Sequence, residues 1–196
     1  MSTVTNAFSP DKRILLIDGS PHRNGYTSRL IRAFRGFCPP GGVWDVWRCY
    51  DYPVVPCDDC GYCHLHDGCS KPDLETFYRL LEAADILVIA TPVHNLSYSS
   101  PLKTLLDRTQ RYWAARFVRG KKPPIARHKQ AVLLTMAEAD ENGGEMVERQ
   151  LRPTLTVLNA VLAASVHALS GDEPAVWKGA VEKAAEELAP REAEST

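Results

Sequence analysis

Short apolar runs alternate along this chain with stretches whose apolar residues recur at helical spacing. RILLID at residues 13–18 is a compact apolar run that stops at Gly19, the pattern of a strand buried on both faces. Over residues 27–37, Leu30, Ile31, Phe34 and Phe37 share one helical stripe. Residues 43–49 alternate around Trp44, Val46 and Arg48 and predict a second strand. Leu74, Phe77, Tyr78 and Leu81 follow with the i, i+3, i+4, i+7 signature of a helix, for which Asp73 is the expected N-cap. ILVIA at 86–90 predicts a third strand, and Leu102, Leu105, Leu106 and Thr109 begin a helix with Pro101 at its first position. AVLLT at 131–135 predicts a fourth strand. Residues 145–161 read as a helix that Pro153 kinks or begins. Residues 164–169 predict a fifth strand, and Trp177, Val181, Ala184, Ala185 and Leu188 line a last helix. Residues 57–72, 91–100 and 120–127 have no period and predict loops, and residues 1–12 and 190–196 predict frayed ends.

Strands and helices in strict alternation imply an α/β fold, a parallel sheet with helices on both faces. Five strands are too few for two mononucleotide-binding halves. They suit the flavodoxin-like three-layer sandwich of strand order 2-1-3-4-5, which places a ligand at the carboxyl ends of strands 1 and 3. A length of 196 residues suits one such domain over 1–196, with 56–72 as a cysteine-rich excursion.

Composition narrows the function classes. A net charge of -1 gives no pull toward nucleic acid or an anionic membrane, and no apolar run reaches the roughly 18 residues of a membrane span. The polar start lacks the apolar core of a secretory signal, so the expected location is cytoplasmic. Four of the six cysteines lie within residues 57–69, which points to metal or redox chemistry and away from a disulfide scaffold. Cys38 and Cys49 read as small core residues.

The loop after the first strand, Asp18-Gly19-Ser20-Pro21-His22-Arg23-Asn24-Gly25-Tyr26-Thr27-Ser28, opens a helix. A helix N-terminus presents unpaired N–H groups and partial positive charge to an anion. Ser20, Thr27 and Ser28 add hydroxyls, and His22 or Arg23 adds charge. Neither Gly-x-Gly-x-x-Gly nor Gly-x-x-x-x-Gly-Lys occurs here. The segment ILLIDGSPHRNGYTSRLI at 14–31 resembles the opening of the NAD(P)H-dependent FMN reductase and iron–sulfur flavoprotein group, which reads Gly-Ser-Pro-Arg and then Gly-Asn-Thr. Here His22 stands where Arg is usual and Tyr26 where Asn is usual. The resemblance implies that Ser20, His22, Arg23, Asn24, Tyr26, Thr27 and Ser28 surround the FMN phosphate.

The third strand runs into Thr91-Pro92-Val93-His94-Asn95-Leu96-Ser97, then Ser100-Pro101-Leu102-Lys103. Pro92 and Val93 offer a flat apolar surface, and Asn95, Ser97 and backbone N–H groups can bond the polar edge of a flat heterocycle. The segment resembles the family's isoalloxazine loop, with His94 in a position that is usually Tyr. Pro92, Val93, His94, Asn95 and Ser97 are therefore the expected ring contacts. The fourth strand ends in Thr135-Met136-Ala137-Glu138, which by topology reaches the same rim without a motif that assigns it a role.

Cys57, Cys60, Cys63 and Cys69 follow the pattern Cys-x2-Cys-x2-Cys-x5-Cys. Four thiolates this close suit a 4Fe–4S cluster, and the position resembles the cluster motif of iron–sulfur flavoproteins. Zinc, shared with His64 or His66, and a set of reduced or disulfide-forming thiols are the other readings of the same residues. The resemblance implies an FMN-dependent oxidoreductase that takes electrons from NAD(P)H and delivers them to a small-molecule or protein acceptor, assembled as a homodimer or homotetramer. No side chain stands out as an obligatory catalytic group. A flavodoxin-like electron carrier and a zinc-stabilised binding module without flavin are the alternatives.

Overall fold

The computed structural model describes residues 7–138 and 141–189, with Glu141 described by its backbone only. In chain order the elements are β1 (Arg13–Asp18), α1 (Tyr26–Phe37), β2 (Val43–Arg48), α2 (Tyr62–Leu65), a 3-10 turn (Pro72–Leu74), α3 (Glu75–Ala83), β3 (Ile86–Pro92), α4 (Ser100–Asp107), α5 (Gln110–Phe117), β4 (Lys129–Ala137), α6 (Glu141–Val157), β5 (Ala160–Leu169) and α7 (Pro174–Glu186). The strands form one sheet of order β2-β1-β3-β4-β5, parallel throughout.

Alternate residues of the apolar runs feed two cores, which is why the runs carry no polar positions. Leu15, Ile17, Leu87, Ile89 and Leu133 pack under α3, α4 and α6. Ile14, Leu16, Ile86, Val88 and Leu134 pack under α1 and α7. Cys49 and Cys38 sit in or against these cores as expected, and burial pushes each thiol up to about 12.

The structure departs from the sequence expectations at several points. Phe8, expected within a frayed end, is buried under the sheet, and its N–H donates to Pro40 O at 2.8 Å. Of the rest of the expected ends, 1–6 and 190–196 lie outside the described residues, and the Lys12 N–H donates to Ser9 O at 2.9 Å. α6 stops at Val157 and β5 starts at Ala160, four residues before the expected start. Asn159 makes the turn between them at φ 55° and donates its side-chain amide to Ile125 O at 3.0 Å. Pro153 lies inside α6 on its exposed face, where solvent can take the carbonyl that the missing N–H leaves unpaired. The helix after Pro101 breaks at Arg108–Thr109 into α4 and α5.

That break sends Arg108 into the interior. Its side chain is 1% exposed and holds both ends of the cysteine loop. Nη1 donates to Val55 O at 2.6 Å and to Asp73 Oδ2 at 3.1 Å, and Nη2 donates to Lys71 O at 2.9 Å and to Asp73 Oδ1 at 2.7 Å. Asp73 Oδ2 also accepts the Val55 N–H at 2.9 Å. Asp73 is therefore not the N-cap of α3: Leu74 holds that position with no side-chain cap bond, because the buried guanidinium is the stronger partner for the carboxylate. Burial alone would raise Asp73, but Arg108 and the Val55 N–H hold it below the usual carboxylate range.

A second tie joins the loops after β1 and β3. Gly19 N–H donates to Ala90 O at 2.8 Å, and the fully buried Ser99 donates its hydroxyl to Gly19 O at 2.6 Å. The Ser99 N–H in turn donates to Thr91 Oγ1 at 3.2 Å. A Cβ at Gly19 would stand 3.1 Å from Leu102 and from Ser99 Oγ, so a side chain there would crowd both neighbours.

Each tie has a measurable consequence. Ser99→Ala leaves Gly19 O buried without its donor and is expected to cost about 1–3 kcal/mol of stability in denaturant unfolding. A loss below about 0.5 kcal/mol contradicts that role. Arg108→Met is expected to cost about 3–5 kcal/mol and to open residues 56–72 to protease before the rest of the chain. Uniform cleavage, with no early cut in that loop, contradicts the clamp.

Candidate cofactor cleft and cysteine loop

The loops after β1, β3, β4 and β5 surround one cleft of about 440 Å³ at the carboxyl ends of the strands. The loop after β1 starts at Asp18, whose buried carboxylate accepts the Ser20 N–H at 2.9 Å through Oδ1 and pairs with Arg48 Nη1 at 3.0 Å through Oδ2. Burial raises Asp18 more than the Ser20 N–H and Arg48 lower it. Ser20 Oγ then bonds the carbonyl and the N–H of His22, each at 3.3 Å, and Ser28 Oγ donates to His22 O at 2.6 Å. These two hydroxyls shape the loop.

The chain enters α1 at Gly25, where a Cβ would lie 2.9 Å from His22 Cβ. α1 has no side-chain cap, and the N–H groups of Tyr26, Thr27 and Ser28 have no backbone acceptor among the described residues. Thr27 is buried, and its hydroxyl makes no hydrogen bond among the described residues. The first turn of α1 therefore keeps unspent donors beside the cleft, the arrangement that binds phosphate.

The opposite wall is the end of β3. Val93 N–H donates to Met136 O at 2.8 Å, which fastens this segment to β4. His94 and Ser97 then exchange backbone bonds at 2.9 and 3.0 Å around a tight turn.

Ser20, Pro21, His22, Gly25, Tyr26 and Thr27 line one side of the cleft and Pro92, Val93 and His94 the other. Of the remaining sequence candidates, Arg23 is 69% exposed and paired to Asp51 at 2.8 Å. Asn24, Ser28, Asn95 and Ser97 do not line the cleft, and the Ser97 hydroxyl donates to Gln150 Oε1 at 2.8 Å. Met136, Ala137, Glu138 and Ser170 complete the lining. Strand order alone predicts that the β4 end reaches this rim, but no local motif marks these four residues.

The cysteine loop rises from the carboxyl end of β2. Cys57, Cys60, Cys63 and Cys69 are free thiols that line a common hollow with Ser70, Lys71, Arg108 and Arg111. Asp59 at φ 52°, Gly61 at φ 71° and Gly68 at φ 97° fold the loop back on itself. Burial, and then the nearby Cys69, Cys57 and Cys60 thiols, push Cys63 up. Ser70 Oγ at 3.2 Å and the Tyr62 N–H pull the exposed Cys60 down. Arg119–Asp67 at 2.7 Å and Lys71–Asp58 at 2.7 Å fix the outer turns. His66 lies against Tyr62 and His64 against Trp113, at ring separations of 4.7 and 6.1 Å. Among the described residues no three His, Cys, Asp or Glu side chains converge on a single ion-sized point. The donor chemistry suits a sulfur-bound centre, and the thiols stand around its hollow without closing on it.

Comparison with known proteins agrees with this architecture. The model of the NADPH-dependent FMN reductase family matches residues 12–173. An iron–sulfur flavoprotein of Archaeoglobus fulgidus is 30% identical over 155 residues, covering 78% of this chain and 75% of that protein. An NAD(P)H-dependent FMN reductase of Pseudomonas aeruginosa is 28% identical over 151 residues, covering 77% and 73%. Among solved structures, the NAD(P)H:quinone oxidoreductase of Methanothermobacter marburgensis superposes with a TM-score of 0.71 over 94% of this chain and all of that one, at 15% identity, a likeness of fold. No helix among the described residues is long and apolar enough to cross a membrane. With a family match across most of its length and the flavodoxin-like strand order, this chain belongs to the NADPH-dependent FMN reductase family of oxidoreductases.

Proposed function

We propose that the chain is an FMN-dependent NAD(P)H oxidoreductase that holds FMN in the cleft between α1 and the end of β3. The observation that carries this reading is the first turn of α1. Three backbone N–H groups and the Thr27 hydroxyl have no partner among the described residues, and they stand beside the cleft lined by Pro92, Val93 and His94. Tyr26, Thr27 and Ser28 would bind the phosphate through their amides, with the helix dipole favouring its charge. Pro92, Val93, Met136 and Ala137 would shield the apolar faces of the ring from water. His94 and Glu138 stand where polar groups of ring or nicotinamide can be met. When bound, FMN supplies the chemistry of accepting a hydride from the nicotinamide and passing electrons on. The acceptor is a small molecule or a protein, and a homodimer or homotetramer is the assembly this reading favours.

The four cysteines extend the reading. Cys57, Cys60, Cys63 and Cys69 would hold a 4Fe–4S cluster, for which the common hollow and the sulfur donor set are the support. Arg108, which fastens Val55 and Lys71, would keep the two ends of the ligand loop together.

Turnover, FMN affinity and metal content test these assignments. Purified protein with added FMN is expected to oxidise NADPH or NADH with a quinone acceptor. Thr27→Val is expected to weaken FMN binding about tenfold, the worth of one hydrogen bond to a charged group. Unchanged FMN affinity contradicts the phosphate site, and FMN binding without turnover on any acceptor favours the carrier reading. Anaerobically purified protein is expected to carry about four iron atoms per chain with matching sulfide. Cys60→Ser is expected to lose the iron and retain FMN. Zinc, or flavin without metal, contradicts the cluster.

A further inference from the structure

The turn that brings His94 to the cleft is unfavourable by itself. Its two central residues, Asn95 and Leu96, both have positive φ, at 51° and 59°. A two-residue turn of this hand favours Asn at the first position and Gly at the second. Asn95 meets that demand. Leu96 does not: its Cβ crowds the backbone in this conformation, and at 43% exposure the side chain gains only partial burial in return.

One face of α6 backs the turn. Gly143, Val147 and Gln150 are spaced i, i+4, i+7 and form a single stripe. Gly143 is buried, and a Cβ there would come 3.0 Å from Val93 Cγ1 and 3.8 Å from Leu96 Cδ2. Val147 O accepts the Tyr98 hydroxyl at 3.3 Å. Gln150 reaches the turn with both ends of its amide: Nε2 donates to Leu96 O at 3.0 Å, and Oε1 accepts from Ser97 Oγ at 2.8 Å. The carbonyl it holds belongs to the residue whose backbone is strained.

We propose that Gln150 is a positioning residue for the flavin-contacting turn: its amide, bonded to Leu96 O and Ser97 Oγ, holds Asn95 and Leu96 in the left-handed conformation that places Val93 and His94 in the cleft. This rests on the FMN reading above. Gln150 does not line the cleft, so it acts through the turn. Because the strain it offsets resides in a side chain at position 96, the need for Gln150 falls when that side chain is removed.

The test is a double-mutant cycle on the full chain with two readouts, FMN dissociation constant and amide exchange at His94 and Ser97. Gln150→Leu is expected to weaken FMN binding and to speed both amides, each about tenfold. Gln150→Glu keeps the acceptor for Ser97 but not the donor to Leu96, and is expected to fall between the two. With Leu96→Gly in place, the same Gln150→Leu change is expected to cost less than about threefold in either readout. Equal losses in both backgrounds, or lower thermal stability with FMN affinity unchanged, overturn the proposal. If the unaltered chain takes up no FMN, the functional reading fails and the flavin part of the proposal fails with it. Amide exchange distinguishes that result from failure of the Gln150 hold on the turn.

Discussion

One buried hydrogen bond, from the Ser99 hydroxyl to the Gly19 carbonyl at 2.6 Å, ties the two loops on which the cleft depends. The order β2-β1-β3-β4-β5 makes β1 and β3 neighbours and sends their outgoing helices to opposite faces of the sheet, which leaves a crevice at their carboxyl ends. Adjacent strands alone do not fix adjacent loops. Gly19, tied to Ala90 by its N–H and to Ser99 by its carbonyl, makes the two loops move as one body. The first turn of α1 and the Val93–His94 wall then face a common space at a set separation, as a rigid ligand with a phosphate at one end and a ring at the other requires.

Arg108 does for the cysteine loop what Ser99 does for the cleft. A loop carrying four cysteines has no apolar core of its own, and its shape depends on its two ends. The guanidinium joins Val55, Lys71 and Asp73 at one buried point, so the ends meet whatever the loop's tip does. Each of the two segments is thus a polar loop anchored by one buried donor set in the sheet-and-helix body. On the reading proposed above, this division of labour would let sulfur and flavin chemistry share the rim of a small fold.

The fold was legible because the apolar runs of the three central strands, β1, β3 and β4, are buried on both faces, and such runs are visible without knowing the partners. The strand order, the resemblance carried by Gly19-Ser20-Pro21 and Thr91-Pro92-Val93, and the family all agree with the structure. What was not legible lies in long-range polar contacts. Asp73 has the composition of an N-cap, and only the fold reveals Arg108, 35 residues away, as its partner. Ser20, Ser28 and Ser97 look like free hydroxyls in the sequence, but the first two are spent on their own loop and the third on Gln150 of α6. Met136, Ala137 and Glu138 reach the rim as the strand order implies, whereas no signal in the sequence marks Ser170, which lines the cleft from the end of β5. The apolar residues 157–163 continue a helical pattern and a strand pattern equally well, and the Asn159 turn at positive φ decides between them.

The central claim is that the α1 N-terminus and the end of β3 together receive FMN. Amide chemical shifts of the labelled chain, followed as FMN is added, test it most directly. The account predicts that the largest shifts fall on Tyr26, Thr27 and Ser28 and on Val93 and His94, with the amides at the opposite end of the sheet unmoved. Saturable binding that shifts a different set of amides, or that leaves the first turn of α1 untouched, contradicts it.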